Sequence, residues 1–144
     1  RFKESDVRPM GRTARGVRGI RISGSHKVIS LIIPQNGGSV LSASVNGFGK
    51  RTDVQDFPTK GRGGQGVIAM RTSPRNGDLV SALQVFDGDE LMLISNMGTL
   101  VRTSVDEVSV QGRNTQGVRL IRLRGEEVLV GAERIVDNDS DDEL

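Results

Sequence analysis

The 144 residues contain 35% hydrophobic side chains, enough to bury a core, and no cysteine, so a disulfide scaffold and a thiolate metal site are excluded. Four Phe and no Trp or Tyr leave few rings for stacking bases, which disfavours binding to single-stranded nucleic acid. The longest apolar run, residues 28–33, is too short to span a bilayer, and the composition fits a cytoplasmic protein with no membrane partner.

The net charge of +2 hides an asymmetry along the chain. Residues 137–144 hold five of the 18 acidic residues and none of the 20 basic ones, so residues 1–136 carry a formal charge of +7. Such a basic body is typical of a nucleic-acid binder. We expect residues 137–144 to form a disordered acidic tail, which would either compete with nucleic acid for the basic surface or only aid solubility.

Short β-rich runs bounded by turn residues follow one another along the chain. We predict strands at residues 28–33, 40–45, 67–71, 79–85, 91–94 and 118–123. Asn-Gly and Asp-Gly pairs, such as those at 46–47 and 87–88, are suited to closing the turns between them. No window keeps a helical apolar period for three turns, and 19 glycines disfavour helices. The sequence therefore predicts an all-β fold.

A seven-residue frame, Gly-Arg, three residues and Gly-Val, occurs three times, at 11–17, 61–67 and 112–118. The copies are 50 and 51 residues apart, and a period near 50 with about four strands is typical of a propeller blade. We expect a partial propeller-like disc over residues 1–136, with repeats at roughly 1–27, 28–78 and 79–136. Because the chain opens in mid-repeat at Arg1, we also expect upstream blades, strand exchange between blades, or both.

The residues needed for catalysis are sparse. His26 is the only histidine and lies in a polar turn, which favours a solvated surface residue. Asp87, Asp89 and Glu90 lack the ligand spacing of a calcium loop, and the glycines of 61–66 lack the Lys-Ser/Thr of a nucleotide P-loop. We predict no catalytic, cofactor-binding or metal-binding residue, which opposes an enzyme acting alone.

Arginine is the residue type that recurs with the repeat. Arg12, Arg62 and Arg113 follow the first frame glycine, and Arg1, Arg51 and Arg102 come ten or eleven residues earlier. In a radial fold these positions would form a ring of cations, and guanidinium groups suit phosphate oxygens. The predicted contacts to the backbone of duplex DNA are Arg12, Lys50, Arg51, Lys60, Arg62, Arg102 and Arg113.

A structural interpretation of the same arginines is the main alternative. Arg51 with Asp56, or Arg102 with Glu107, could form ion pairs between blades, and the disc would then serve as a protein-interaction propeller. Charge reversal at Arg62 and Arg113 separates the two: it should abolish DNA binding with little loss of stability, or else unfold the repeat. The six frame glycines are expected to serve tight turns.

Five segments resemble the C-terminal domain of the bacterial DNA gyrase A subunit, of the type IIA topoisomerase family. They are NGFGKRT at 46–52, FPTK at 57–60, RNG at 75–77, GTLVRT at 98–103 and GRNTQGV at 112–118. The resemblance covers essentially the whole chain. It implies a β-pinwheel, a disc whose blades exchange an outer strand and whose basic rim wraps duplex DNA.

The resemblance also implies a parent complex. In that family ATP is hydrolysed by the gyrase B subunit during negative supercoiling, and the catalytic tyrosine lies in the N-terminal part of the gyrase A subunit. This chain has no Tyr, so we expect it to be non-catalytic. ATP and Mg²⁺ are implied only for the holoenzyme, which would act in the bacterial cytoplasm with the chromosome.

One segment departs from the family pattern. The family's wrapping box reads Q-R-R-G-G-K-G, whereas residues 60–66 read K-G-R-G-G-Q-G. We interpret this segment as a degenerate copy in a later blade and expect the box itself upstream. The related domain in the A subunit of topoisomerase IV, which has lost the box, is therefore the alternative within the same family.

Overall fold

The regular secondary structure of the described residues consists of two antiparallel sheets and three short 3₁₀ turns. The computed structural model describes residues 1–136, so the predicted acidic tail at 137–144 lies outside the described residues. The strands are β1 (Ser39–Ser44), β2 (Phe48–Asp53), β3 (Leu79–Val85), β4 (Glu90–Ser95), β5 (Leu100–Ser104), β6 (Val118–Arg119) and β7 (Leu129–Ile135). Within residues 1–136 no helix is long and apolar enough to cross a membrane. The predicted all-β fold is confirmed.

The first sheet has the strand order β3-β1-β2-β6. β1 and β2 form a hairpin closed at Gly47, whose φ of 85° favours glycine. β3 pairs with the other edge of β1, and β6, much later in the chain, pairs with β2. This sheet therefore combines strands from the predicted repeats 28–78 and 79–136.

The second sheet, in the order β5-β4-β7, repeats the first. β4 lies 51 residues after β1 and β7 lies 50 residues after β3, and both pairings have an irregularity at the same place, 43/44 in β1 and 94/95 in β4. The 3₁₀ turns Glu4–Asp6, Val54–Asp56 and Val105–Glu107 keep the same interval. The structure thus confirms the repeat that the sequence predicts.

The hydrophobic core joins the two sheets. It consists of Leu41, Ala43, Val85, Leu91, Leu93, Val105, Val108, Ile121, Leu129 and Ala132. In β4 buried and half-buried residues alternate, as the period of two requires when one face of a strand meets the core. Each fully buried Leu or Val contributes about 1.5–3 kcal/mol, so the core fixes the position of each blade against its neighbour.

Several predicted strand boundaries are wrong. Residues 28–33 and 67–71 form no strand, residues 118–123 form one only over 118–119, and β2, β5 and β7 were not predicted. Residues 28–33 contact β3 through a side chain instead of a backbone ladder. The Ala82 N–H of β3 donates to Ser30 Oγ at 3.2 Å. Leu31 is left 87% exposed and Ile33 84% exposed.

Asn76 and Glu127 lie one repeat apart. Each is a buried polar residue whose side chain holds a turn in place by hydrogen bonds. Asn76 donates from Nδ2 to the carbonyls of Arg71 (2.8 Å) and Gln116 (3.2 Å). Glu127 accepts from the hydroxyls of Ser95 and Thr99, both at 2.7 Å. These hydrogen bonds, that from Thr99 first, lower the pKa of Glu127 below its ordinary value.

Candidate nucleic-acid interface

The three frame loops, defined as residues 11–17, 61–67 and 112–118, share one backbone conformation at their second glycine. Gly16, Gly66 and Gly117 have φ values of 85°, 80° and 76°. A Cβ on Gly117 would lie 2.5 Å from the carbonyl oxygen of Gly49. The third loop therefore approaches β2 more closely than any side chain would allow, and glycine is required there.

Arg62 and Arg113 make equivalent contacts to the preceding repeat. Arg62 donates to the carbonyls of Asp6 (3.1 Å) and Arg18 (2.6 Å). Arg113 donates to those of Asp56 (2.9 Å) and Ile68 (3.0 Å), each 50 residues further along. Both residues are half-buried, and the acceptors of their guanidinium groups are neutral carbonyls, so each junction retains a positive charge that no carboxylate neutralises in these contacts.

Arg12 and Lys60 are both exposed. In the region spanning residues 1–136, neither side chain forms a hydrogen bond or an ion pair. The backbone N–H of Lys60 donates to the Arg1 carbonyl at 2.9 Å, which fixes the start of the second loop. Both cations therefore meet solvent with their donors available to a phosphate.

Arg51 and Arg102 instead pair with acidic residues. Arg51 is 7% exposed, donates from Nε to the Val108 carbonyl (2.8 Å) and pairs with Asp87 at 2.8 Å. Arg102 pairs with Glu90 across β4 and β5. The partners suggested by the sequence, Asp56 and Glu107, are not the ones used. Asp56 accepts from Arg113 through its backbone, and Glu107 accepts from Thr103.

Lys50 is fully buried in β2, which is at odds with its predicted contact to phosphate. Its ammonium donates to the Gly112 carbonyl (2.6 Å), to Thr115 Oγ1 (3.0 Å) and to the Arg113 carbonyl. Burial, with the Arg113 guanidinium as the smaller cause, lowers the pKa of Lys50 from 10.5 to about 8. Lys50 therefore ties the third frame loop to β2.

Sequence reasoning missed two exposed arginines that share one aromatic ring. The Cζ atoms of Arg75 and Arg119 lie 5.2 Å and 5.0 Å from the centre of the Phe48 ring. Arg119 directly follows the third frame as Arg18 follows the first, but Ile68 follows the second, so this arginine is not present in all three copies. Arg75 has no equivalent arginine one repeat away. The available signals were the position of Arg119 directly after the third frame loop and the place of Arg75 in the RNG segment at 75–77.

The metal-ligating residue types are dispersed over residues 1–136. Over residues 1–136 no group of three His, Cys, Asp or Glu side chains could hold a metal ion. His26 is exposed in a turn closed by its own N–H and the Ser23 carbonyl at 3.2 Å. The blade junctions thus present guanidinium and ammonium donors, the groups that suit an anion.

Repeated antiparallel blades with arginine at their junctions define a propeller-like domain with a cationic surface. A family model described as "DNA gyrase C-terminal domain, beta-propeller" matches residues 1–35, 38–85 and 89–135. The chain belongs to this family of DNA gyrase C-terminal domains, which confirms the resemblance seen in the sequence.

Curated relatives agree with the family match. Over 135 residues the chain is 62% identical to the DNA gyrase A subunit of Pseudomonas aeruginosa, covering 94% of this chain and 15% of that protein. It is 54% identical to the DNA gyrase A subunit of Salmonella typhimurium over 100% of this chain and 16% of that protein. The chain thus spans about one-sixth of the length of these relatives.

Solved structures share the fold. A structure of the DNA gyrase A C-terminal domain superposes with a TM-score of 0.82 at 28% identity, covering 94% of this chain and 46% of that one. The C-terminal domain of DNA topoisomerase IV gives a TM-score of 0.85 at 20% identity, covering 93% and 42%, and shows the fold alone. Curated relatives at 45–62% identity carry the name of the gyrase A subunit, which favours gyrase over the topoisomerase IV alternative.

Proposed function

We propose that the chain binds the backbone of duplex DNA without reading its sequence, by cations at successive blade junctions. The observation that carries this proposal is the equivalence of Arg62 and Arg113, which repeat both carbonyl contacts one blade apart. A duplex that follows the disc would meet the same charged feature at regular intervals, which suits a backbone with regularly spaced phosphates.

The geometry narrows the predicted contact set. Arg12, Lys60, Arg62 and Arg113 remain as proposed phosphate contacts, since their charges are not balanced by carboxylates in the contacts of residues 1–136. In our proposal Lys50 and Arg51 join neighbouring blades, and Arg102 joins β5 to β4 within one sheet. The formal charge of +7 on residues 1–136 supports the choice of a polyanionic partner.

For the parent complex we propose the role that the family name suggests. The chain would hold a DNA segment while the N-terminal part of the gyrase A subunit cleaves DNA and the gyrase B subunit hydrolyses ATP, assisting negative supercoiling in the bacterial cytoplasm. ATP and Mg²⁺ would act elsewhere in that complex, and this chain would contribute binding.

The double variant Arg12→Gln/Lys60→Gln tests the contact set because both side chains are exposed. Its affinity for a linear duplex should fall, and the slope of log affinity against log salt should shrink by up to about 0.9 for each phosphate-binding cation removed. Arg124→Gln/Arg134→Gln removes the same charge beside Glu127 and Asp89 and serves as the control. An equal loss of affinity in both variants would contradict specific contacts at the junctions.

A further inference from the structure

We propose that Arg75 and Arg119, stacked on Phe48, form a clamp for the phosphate backbone of duplex DNA beside the third frame loop. The proposal rests on the proposed function and adds two residues that are not among the seven phosphate contacts predicted from the sequence. The clamp belongs to this junction alone within residues 1–136, since the ring of Phe48 is the one there that contacts two guanidinium groups.

Arg75 and Arg119 lie on two separate segments of the chain, and both contact the ring of Phe48. Phe48 begins β2, is 4% exposed and lies opposite Arg119 of β6 in the antiparallel register. Arg75 arrives from the turn at residues 73–77. The ring centre is 5.2 Å from one Cζ atom and 5.0 Å from the other, within the range of cation–π attraction.

The backbone around both arginines is fixed by hydrogen bonds. The Arg75 carbonyl accepts from Asn46 Nδ2 at 3.1 Å, and the next residue, Asn76, is fully buried. After Arg119, the Leu120 N–H donates to the Gly47 carbonyl at 2.8 Å. A ligand would therefore meet two preplaced cations, and binding would lose little conformational entropy.

The charge of the pair is not compensated by acidic side chains. Both arginines are exposed, and within residues 1–136 neither guanidinium group forms an ion pair. Because both Cζ atoms lie about 5 Å from one ring centre, they are at most about 10 Å apart. That distance is close to the Debye length of about 8 Å at physiological salt, so their repulsion is only partly screened and a bound anion would relieve it.

The neighbouring residues favour a polyanion over a small anion. Arg113 precedes Arg119 by six residues, in the same loop and strand. Arg71 donates to the side chain and carbonyl of Asn114 in that loop, at 3.4 Å and 3.2 Å. Segments 71–77 and 112–119, which meet here, thus carry four arginines, and a duplex offers several phosphates to such a surface.

Arg134 provides a matched control within the same fold. It stacks on Phe86 with its Cζ 5.2 Å from the ring centre, as Arg75 does on Phe48. However, it also pairs with Asp89 at 2.5 Å, so its charge is balanced. Stacking alone therefore does not make a clamp, and Arg134 should not contribute to DNA binding.

The test compares two double variants of the 144-residue chain that each lose two positive charges. Arg75→Gln/Arg119→Gln removes the clamp, and Arg124→Gln/Arg134→Gln removes two arginines that lie beside acidic residues. Fluorescence anisotropy with a short linear DNA duplex over a range of salt gives the slope of log affinity against log salt. The clamp variant should reduce that slope by about 0.9 to 1.8, and the control should leave it unchanged within error.

The outcomes separate the clamp from the proposed function. A wild-type chain that binds with a steep slope, together with an unchanged slope in the clamp variant, would overturn the clamp and leave duplex binding intact. A wild-type chain that does not bind duplex would overturn both proposals. Thermal unfolding checks that the variants fold. If the double variant does not, Arg75→Gln and Arg119→Gln are measured singly, and each should reduce the slope by up to about 0.9.

Discussion

The buried ammonium of Lys50 donates a hydrogen bond to the backbone carbonyl of Arg113, so a cation on β2 fixes the loop that presents a second cation. The residue one repeat after Lys50 is Val101, so this bond belongs to one junction and not to the repeat. Lys50 thus acts on the candidate interface through the backbone of its neighbour, although its own charge does not reach the surface.

Lys50→Met should lower the free energy of unfolding. The Arg113 carbonyl would lose the donor it receives from Lys50, and a buried carbonyl without a partner costs about 1–3 kcal/mol, partly offset because no charge is then buried. Urea unfolding measures the difference. Lys60→Met, at an exposed position, is the matched control and should leave stability unchanged. Equal stabilities for wild type, Lys50→Met and Lys60→Met would contradict a stabilising hydrogen bond from Lys50 to the third frame loop.

Gly117→Ala should destabilise the chain by about 2 kcal/mol or more, because L residues are strained at this positive φ and the new Cβ would meet a carbonyl oxygen. The φ is 76° and the contact to Gly49 O would be 2.5 Å. Gly112→Ala, where nothing lies within 4 Å of the new Cβ, is the control from the same loop. Denaturant unfolding of the two variants should separate them clearly; similar midpoints would refute the close approach.

Glu127 should make stability depend on pH in the acid range. Its folded pKa is lowered, so the stability it contributes is present above the unfolded pKa and is lost as pH falls through the folded pKa. Glu127→Gln should melt at a lower temperature than wild type at neutral pH, with the gap narrowing in acid. Glu126→Gln, at the exposed neighbouring position, should follow wild type throughout. A melting-temperature difference that stays constant at every pH would argue against stabilisation by the ionised form of Glu127.

Arg113→Gln and Arg12→Gln should differ in what they change. Arg113 joins two carbonyls of the preceding repeat, so its loss should lower both duplex affinity and unfolding free energy. Arg12 is exposed, so its loss should lower affinity only. Anisotropy and urea unfolding, measured on the same samples, give both quantities. Unchanged stability in Arg113→Gln would show that its carbonyl contacts are dispensable.

Because Arg113 is expected to contribute both to DNA affinity and to stability, the charge-reversal test suggested by the sequence needs revision. Glutamate at Arg62 or Arg113 would remove bonds between repeats as well as a charge, so a loss of stability would not exclude DNA binding. Arg12 and Lys60 are the better positions for separating a nucleic-acid interface from a protein-interaction propeller, because their side chains are exposed.

The sequence predicts the repeat and the all-β fold because glycines, turn pairs and β-branched runs are local signals. It does not predict β2, since Lys50 and Arg51 look like solvent-facing residues until partners 36 to 65 residues away bury them. It wrongly predicts a strand at 28–33, because β-propensity describes how a segment fits a partner strand and this one receives no backbone ladder.

The candidate site, like the fold, is predictable from the sequence only where its signals are local. The recurrence of Arg12, Arg62 and Arg113 is visible in the frame, whereas the acceptors of Arg62 and Arg113 are set by the packing of one blade on the next. Arg51 and Asp87 meet only because β2 ends beside the turn after β3. The stacking of Arg119 on Phe48 likewise depends on the pairing of β6 with β2, strands that are far apart in the sequence.

The most direct test of duplex binding by the blade junctions is the affinity of the wild-type chain for a linear duplex across a range of salt concentrations. With Arg12, Lys60, Arg62 and Arg113 in contact, the slope of log affinity against log salt should approach about −3.6, at about −0.9 for each phosphate contact, and be steeper still with the clamp. A slope near zero, or no measurable binding at low salt, would contradict duplex binding at these junctions.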